Sequence, residues 1–325
     1  MKNHFKKLLL MALIAVMAVG LIACGTDKSD NESTKEEKTS VTITSLDSSK
    51  NEIELEVPYN PKRIAILDLA SLDIIDELGV GDRVVGMAST SIDYLEKYSN
   101  DASIKNLGTI KEADLEAVME CEPDIIFIGG RLSKSYDALS EIAPVVYLAT
   151  DTNEGLVNSV SKNAKTIASI FGMEDKIDSL MSDFGARIDT IKKISSGKTA
   201  LVGMTTSGSF NLLGNDGRCS LIGVEAGFNN LTAAGSTSTH GNESSFETVV
   251  QQNPDYIFVM DRDSAISTAG AKTAKEIVEN ELVKTTDAYK NNHIIYLEHS
   301  NVWYTAEGGI QALDIMLTDL EKGLK

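Results

Sequence analysis

Two stretches of this chain repeat each other, and that repeat restricts the fold more than any other feature. Asp114–Arg131 reads DLEAVMECEPDIIFIGGR, and Ser245–Arg262 reads SFETVVQQNPDYIFVMDR. Aligned without a gap, they share Glu116/Glu247, Val118/Val249, Pro123/Pro254, Asp124/Asp255, Ile126/Ile257, Phe127/Phe258 and Arg131/Arg262. Each copy reads as a short helix, a Pro-Asp turn and an apolar strand that ends in an arginine. One supersecondary unit used twice predicts two lobes. The paired arginines predict that something anionic is held between them.

The flanking pattern agrees. Residues 41–57 alternate around a polar turn and read as a β-hairpin. Strands follow at 63–67, 83–87, 125–128 and 145–148, separated by helices at 71–78, 115–120 and 136–142. A helix over 153–171 carries Leu156, Val160, Ala164, Ile167 and Phe171 on one face and meets no breaker before Gly172. A second amphipathic helix is expected over 175–194. The βα pattern then restarts, with strands at 199–204, 210–213, 221–225 and 293–297 around the second repeat, and a closing helix over 306–324. Such alternation predicts an α/β protein: two Rossmann-like lobes with mostly parallel sheets, joined by one long helix, with a ligand cleft between them. The expected divisions are a lobe at 41–152, a connecting helix at 153–172 and a lobe at 173–325.

The N-terminus reads as an address. Lys2, Lys6 and Lys7 precede an apolar run from Leu8 to Gly20, which is short for a spanning helix and closes on Leu21-Ile22-Ala23-Cys24, a lipobox. Residues 1–23 are read as a lipoprotein signal peptide, Cys24 as the acylated first residue and 24–40 as a polar, flexible tether. The expected location is the outer face of the cytoplasmic membrane, with the protein anchored by lipid. Removing the leader takes the formal charge from −18 to about −21, which argues against nucleic acid as a partner. Cys121 and Cys219 fall in different halves and read as small core residues.

Ligands of open α/β sheets sit at the carboxyl ends of the strands. Of the chain's six arginines, Arg131 and Arg262 follow strands, and Arg218 lies in the turn Gly-Asn-Asp-Gly-Arg after a third. Arg63 begins a strand at the opposite sheet end, and Arg187 falls on an amphipathic helix. Guanidinium groups stay charged, donate in a fixed fork and stack on π-faces, so three of them suit a compact aromatic anion. At about 1.5–3 kcal/mol for each charge-assisted hydrogen bond, three account for much of a micromolar affinity of about 8 kcal/mol. His240 sits in a polar loop able to reach the cleft, and Trp303 and Tyr304 follow the last strand where a cleft wall is expected. His293 opens a strand and reads as structural. With no histidine in the first lobe, a zinc or manganese capture site is disfavoured. No P-loop, G-x-S-x-G elbow, H-E-x-x-H or C-x-x-C is present, so a binding protein fits better than an enzyme.

The lipobox, the opening VPYNPKRIAIL, the segment GTIKEADLEAVMECEPDIIFIGGR and the segment SFETVVQQNPDYIFVMDR together resemble the siderophore-binding lipoproteins of ABC iron importers. The resemblance runs from about Val41 to the end of the chain. Within that family the chain looks most like the ferric-catecholate branch, the petrobactin- and enterobactin-type binders. That branch carries an arginine triad at positions matching Arg131, Arg218 and Arg262. The surroundings of Arg218, NDGRCSLIG, depart from the branch's usual Ser-Arg-Phe-Gly. The resemblance implies no intrinsic cofactor, an Fe(III)–siderophore as ligand, and an ABC permease with its ATPase as partners of a monomeric receptor. It also implies His240 as a ligand to iron when the siderophore leaves coordination sites open, with Tyr304 beside it. Glu116 and Glu247 match the glutamates that dock each lobe on the permease. The alternatives are a haem or cobalamin receptor with His240 and Met87 as axial ligands, or a surface-anchored hydrolase.

Overall fold

The computed structural model describes residues 38–234 and 237–325. The leader, Cys24 and the tether up to residue 37 lie outside the described residues. From Lys38 to Lys325 the chain forms one compact unit built around two sheets.

The first sheet is wholly parallel. Ile64–Leu67 lies at its centre, between Val84–Met87 and Ile125–Ile128, with Lys105–Asn106 and Val145–Tyr147 at the edges. Parallel strands covered by helices are apolar on both faces, and these alternate accordingly. Ile64, Ile66, Ile125, Phe127 and Val146 face the core shared by the two sheets, while Ala65, Leu67, Ile126, Ile128 and Val145 pack under the outer helices. The hairpin Ser40–Leu46/Glu52–Pro58 is antiparallel and separate from this sheet.

The second sheet is mixed. Thr199–Thr206 pairs in parallel with Tyr256–Asp261 on one side, and that strand pairs in parallel with Ile294–Tyr296. On the other side it pairs antiparallel with Ser209–Leu212, because the short turn at Ser207 and Gly208 (φ 51° and 83°) folds the chain straight back.

The connecting helix runs Leu156–Phe171 and buries Leu156, Val160, Ala164, Ile167 and Phe171, the face expected from spacing. It begins three residues later than expected, since Asp151 and Asn153 form a local turn, and it ends on Gly172 in the left-handed conformation.

Three expected elements differ. The helix over 175–194 is two helices, Glu174–Leu180 and Phe184–Ser195. The segment 221–225, expected as a strand, is the short helix Ser220–Gly223, turned inward by Cys219 at φ 61°. The closing helix, expected over 306–324, starts only at Ile310, after Gly308-Gly309, and runs to Gly323; a separate short helix, Ser300–Thr305, precedes it. That break brings a residue from the first half into the helix start. Asp73 accepts from the backbone N–H of Ile310 (2.8 Å), Gln311 (3.0 Å) and Ala312 (2.9 Å). A Cβ on Gly309 would lie 2.4 Å from the Asp73 carboxyl carbon, so glycine is required by that approach.

Candidate functional site

The six arginines divide into two groups. Arg63 donates to the carbonyls of Cys121 and Glu122, closing the turn of the first repeat. Arg83 binds Asn60 (2.5 Å) and the Pro61 carbonyl (3.1 Å), and Arg187 grips Asp314 (2.5 Å) and Glu321 (2.7 Å) on the last helix. The other three converge on one side chain. Their guanidinium carbons lie 5.5 Å (Arg131), 4.5 Å (Arg218) and 5.7 Å (Arg262) from the Tyr304 ring centroid.

Local sequence explains each placement. Arg131 follows Ile125–Ile128 on the 3-10 turn Gly130–Ser135, and Arg262 opens the short helix after Tyr256–Asp261. Arg218 ends the polar turn before Cys219, whose positive φ reverses the chain. Arg131 Nη2 donates to the Tyr304 carbonyl at 2.9 Å, and Arg218 Nε to the same oxygen at 3.5 Å. Arg262 Nε reaches the Tyr304 hydroxyl at 3.3 Å. A cationic side chain from the first half and two from the second thus meet across one phenol ring, from which each gains cation–π attraction.

The electrostatics follow from that crowding. Burial and the neighbouring Arg218 charge hold the Arg131 pKa below its ordinary value. Burial alone would raise the Tyr304 phenol, but the Arg262 hydrogen bond and three guanidinium charges override it and bring the pKa below the usual tyrosine value. Arg262 is anchored by Asp263, a buried carboxylate 3.1 Å from Nη1, and not by Asp261, which instead caps Ser264 and Ala274. Two further carboxylates border the site. Asp68 and Glu307 line a chamber of about 280 Å³ together with Arg131, Arg218 and Tyr304, and burial raises the pKa of both. Asp68 follows strand Ile64–Leu67 directly, a position that the strand-end rule picks out; Glu307 carries no such mark in sequence.

His240 is exposed on the polar loop, in the combined field of Arg262, Arg218, Lys111 and Arg131. Partial burial, then these charges, lower its pKa, which favours the neutral imidazole. Trp303 is not on the cleft wall: it is fully buried and donates Nε1–H to Asp319 at 2.9 Å. Successive helical residues point about 100° apart, so Tyr304 faces the arginines while Trp303 faces the core. Met87 is also buried, in the first sheet, and is not available as an axial partner for His240. His293 stacks on Tyr256 at 4.2 Å and binds the Asp255 carbonyl, a structural role. Glu116 and Glu247 are exposed on the first turns of their helices. Cys121 and Cys219 are buried and free.

Comparison with known proteins identifies the family of the chain. Residues 64–300 match the family model described as periplasmic binding protein. The chain is 35% identical to the petrobactin-binding protein YclQ of Bacillus subtilis, over 98% of this chain and 99% of that one. The crystal structure of YclQ superimposes with a TM-score of 0.80, covering 88% of this chain and 99% of that one at 36% identity. The catecholate-siderophore-binding protein VctP of Vibrio cholerae gives a TM-score of 0.78 at 30% identity, over 87% of this chain and all of that one. The ferric-anguibactin-binding protein FatB of Vibrio anguillarum is 26% identical over 82% of this chain and 84% of its own length.

Proposed function

The chain belongs to the periplasmic binding protein family, and on that premise we propose that it is the capture component of an ABC iron importer. It binds a ferric catecholate-type siderophore in the cleft and delivers it to a membrane permease. Lobes 41–152 and 173–325 form the two walls, and the lipid on Cys24 holds the protein at the outer face of the cytoplasmic membrane. The observation that carries the ligand class is the convergence of Arg131, Arg218 and Arg262 on Tyr304. A ferric catecholate is anionic at its iron-ligating oxygens and aromatic at its rim. Fixed guanidinium forks meet the first property and their planar faces meet the second. Two full-length or near-full-length relatives bind ligands named as petrobactin and catecholate siderophore, which supports this choice.

His240 stands ready to bind iron that a tetradentate siderophore leaves partly unligated. Glu116 and Glu247 are the docking residues toward the permease, one from each copy of the repeat.

Trp303 is the chain's single tryptophan and neighbours Tyr304, so its fluorescence reports cleft occupancy. Titration with ferric bis-catecholate, tris-catecholate, hydroxamate and citrate complexes should show strong quenching by catecholates. Selective binding of hydroxamates would sink the reading. Alanine at Arg131, Arg218 or Arg262 should each weaken binding by about ten- to hundredfold, one lost charge-assisted contact. Raising salt should have little effect, since these contacts are close and sheltered.

A further inference from the structure

The two copies of the repeat share a helix-turn-strand plan but present different outer faces. In the second copy, Phe246 stacks on Phe210 (centroids 6.3 Å apart, planes 5° apart) and joins the outer core. Val250 of that copy is half-buried. The corresponding residues of the first copy are Leu115 and Met119, which are 38% and 61% exposed. One helical turn apart, they share a face and open with Pro123 and Ile142 into a groove of about 580 Å³. Glu122 and Glu141 stand on its walls, and Glu116 adjoins Leu115 on the helix. None of these three glutamates forms an ion pair among the described residues, whereas the next one, Glu120, pairs with Lys105. Folding does not demand this exposure, because the second copy builds the same unit with its apolar residues covered.

We propose that the groove receives an apolar side chain flanked by lysine or arginine on the extracytoplasmic surface of the permease. The inference rests on the importer reading above and divides the docking work unequally. The first lobe engages through an apolar anchor and charge; the second engages through Glu247 alone. Charge decides between occupants. Two copies of this chain packed face to face would bring Glu116, Glu122 and Glu141 against their own counterparts, a like-charge contact. An anionic lipid surface is repelled for the same reason. A basic segment is drawn in by the rim, and the desolvated apolar contact then sets how long it stays.

The test uses the full chain in cells lacking their own copy, with radioiron supplied as ferric petrobactin. Purified protein is titrated in parallel through Trp303 fluorescence and melted. Met119→Asp should lower uptake at least about tenfold, as expected for loss of a central apolar anchor, with ligand affinity and melting temperature unchanged. Val250→Asp should lower uptake less than about twofold. Met119→Ala, a milder change on an exposed helix position, should give an intermediate loss and guards against a folding artefact. Normal uptake by Met119→Asp and Met119→Ala with normal ligand binding overturns the groove proposal and leaves the importer reading standing. A wild-type dimer that Met119→Asp converts to monomer also overturns it, in favour of self-association. A wild-type chain that binds no ferric siderophore instead overturns the functional reading beneath it.

Discussion

Tyr304 concentrates the chemistry of this molecule in one side chain. Its ring is the common surface for three cations, its carbonyl accepts from two of them and its hydroxyl from the third. The three guanidinium groups would repel each other without a negative or π-rich centre, so the ring holds them apart and aimed. The lowered phenol pKa yields a prediction. As pH rises through it, the phenolate neutralises part of the cationic cluster, and anion binding should weaken before the ordinary tyrosine value of 10.0 is reached. In Tyr304→Phe that decline should be absent, although affinity at neutral pH falls modestly through lost orientation of Arg262. Dissociation constants of a ferric catecholate measured from neutral to alkaline pH decide the matter; parallel declines in both proteins would remove Tyr304 from the explanation. The arginines themselves were legible, two from the repeat and one from its Gly-Asn-Asp-Gly turn. Their meeting at Tyr304 was not, since residues far apart in sequence fix it. Trp303 and Tyr304 could not be told apart either, because adjacent helical residues face different ways and nothing local says which faces the cleft.

At the scale of elements, the repeat explains itself through its invariant Pro-Asp. Asp124 accepts from the backbone N–H of Lys62 and Arg63 (2.7 and 2.9 Å), and Asp255 from the N–H and hydroxyl of Thr199 (2.8 and 2.9 Å). Each aspartate therefore ties its own strand to the start of the central parallel neighbour, fixing register in both sheets. The residue before each proline, Glu122 or Asn253, takes a positive φ of 44° or 40° to turn the chain. Asp124→Ala and Asp255→Ala should each cost about 1–3 kcal/mol, the usual range for losing charged partners of backbone donors, measured by denaturant unfolding. Asp255 adds a pH signature. The Thr199 backbone donor foremost holds its pKa low, so its contribution is present above the unfolded value near 3.8 and is lost as pH falls through the folded one. Acid unfolding of Asp255→Ala should be shallower than wild type below about pH 4; identical slopes would count against the tie. Periodicity located the central strands and the longer helices because apolar spacing is set by burial, but it passed over short helices such as Ala274–Val278 and Ser300–Thr305. It missed the break at residues 181–183, since an apolar stripe continues across a short interruption, and it began the last helix ahead of Gly308-Gly309. It misread 221–225, where a buried helical turn and a buried strand look alike.

Across the whole molecule, the halves are joined by more than the connecting helix. Arg131 reaches the Tyr304 carbonyl, Asn301 donates to the Ser91 carbonyl at 2.8 Å, and Asp73 caps the helix Ile310–Gly323. A single core runs from Leu72 through Ile167 to Phe258 and Leu313, so the sequence division into lobes marks two sheets sharing one interior. Such ties favour limited closure on ligand binding, which is the arrangement expected of a rigid receptor. Asp73 is the most consequential of them. Its carboxylate accepts three backbone donors and the Tyr94 hydroxyl (2.6 Å), yet burial outweighs these and raises its pKa to about 6. Removing the side chain leaves three buried N–H groups without partners, so Asp73→Ala should destabilise by about 3 kcal/mol or more. The raised value fixes the sign of the pH effect. The stabilisation from Asp73 is complete below the unfolded value near 3.8 and declines as pH rises through about 6, by roughly 3 kcal/mol at most. The gap between wild type and Asp73→Ala should therefore be wider near pH 4.5 than near pH 7.5, with hydrogen exchange in Ile310–Gly323 accelerated in the variant. A gap independent of pH, with that helix still protected, would mean that the last helix docks without its cap.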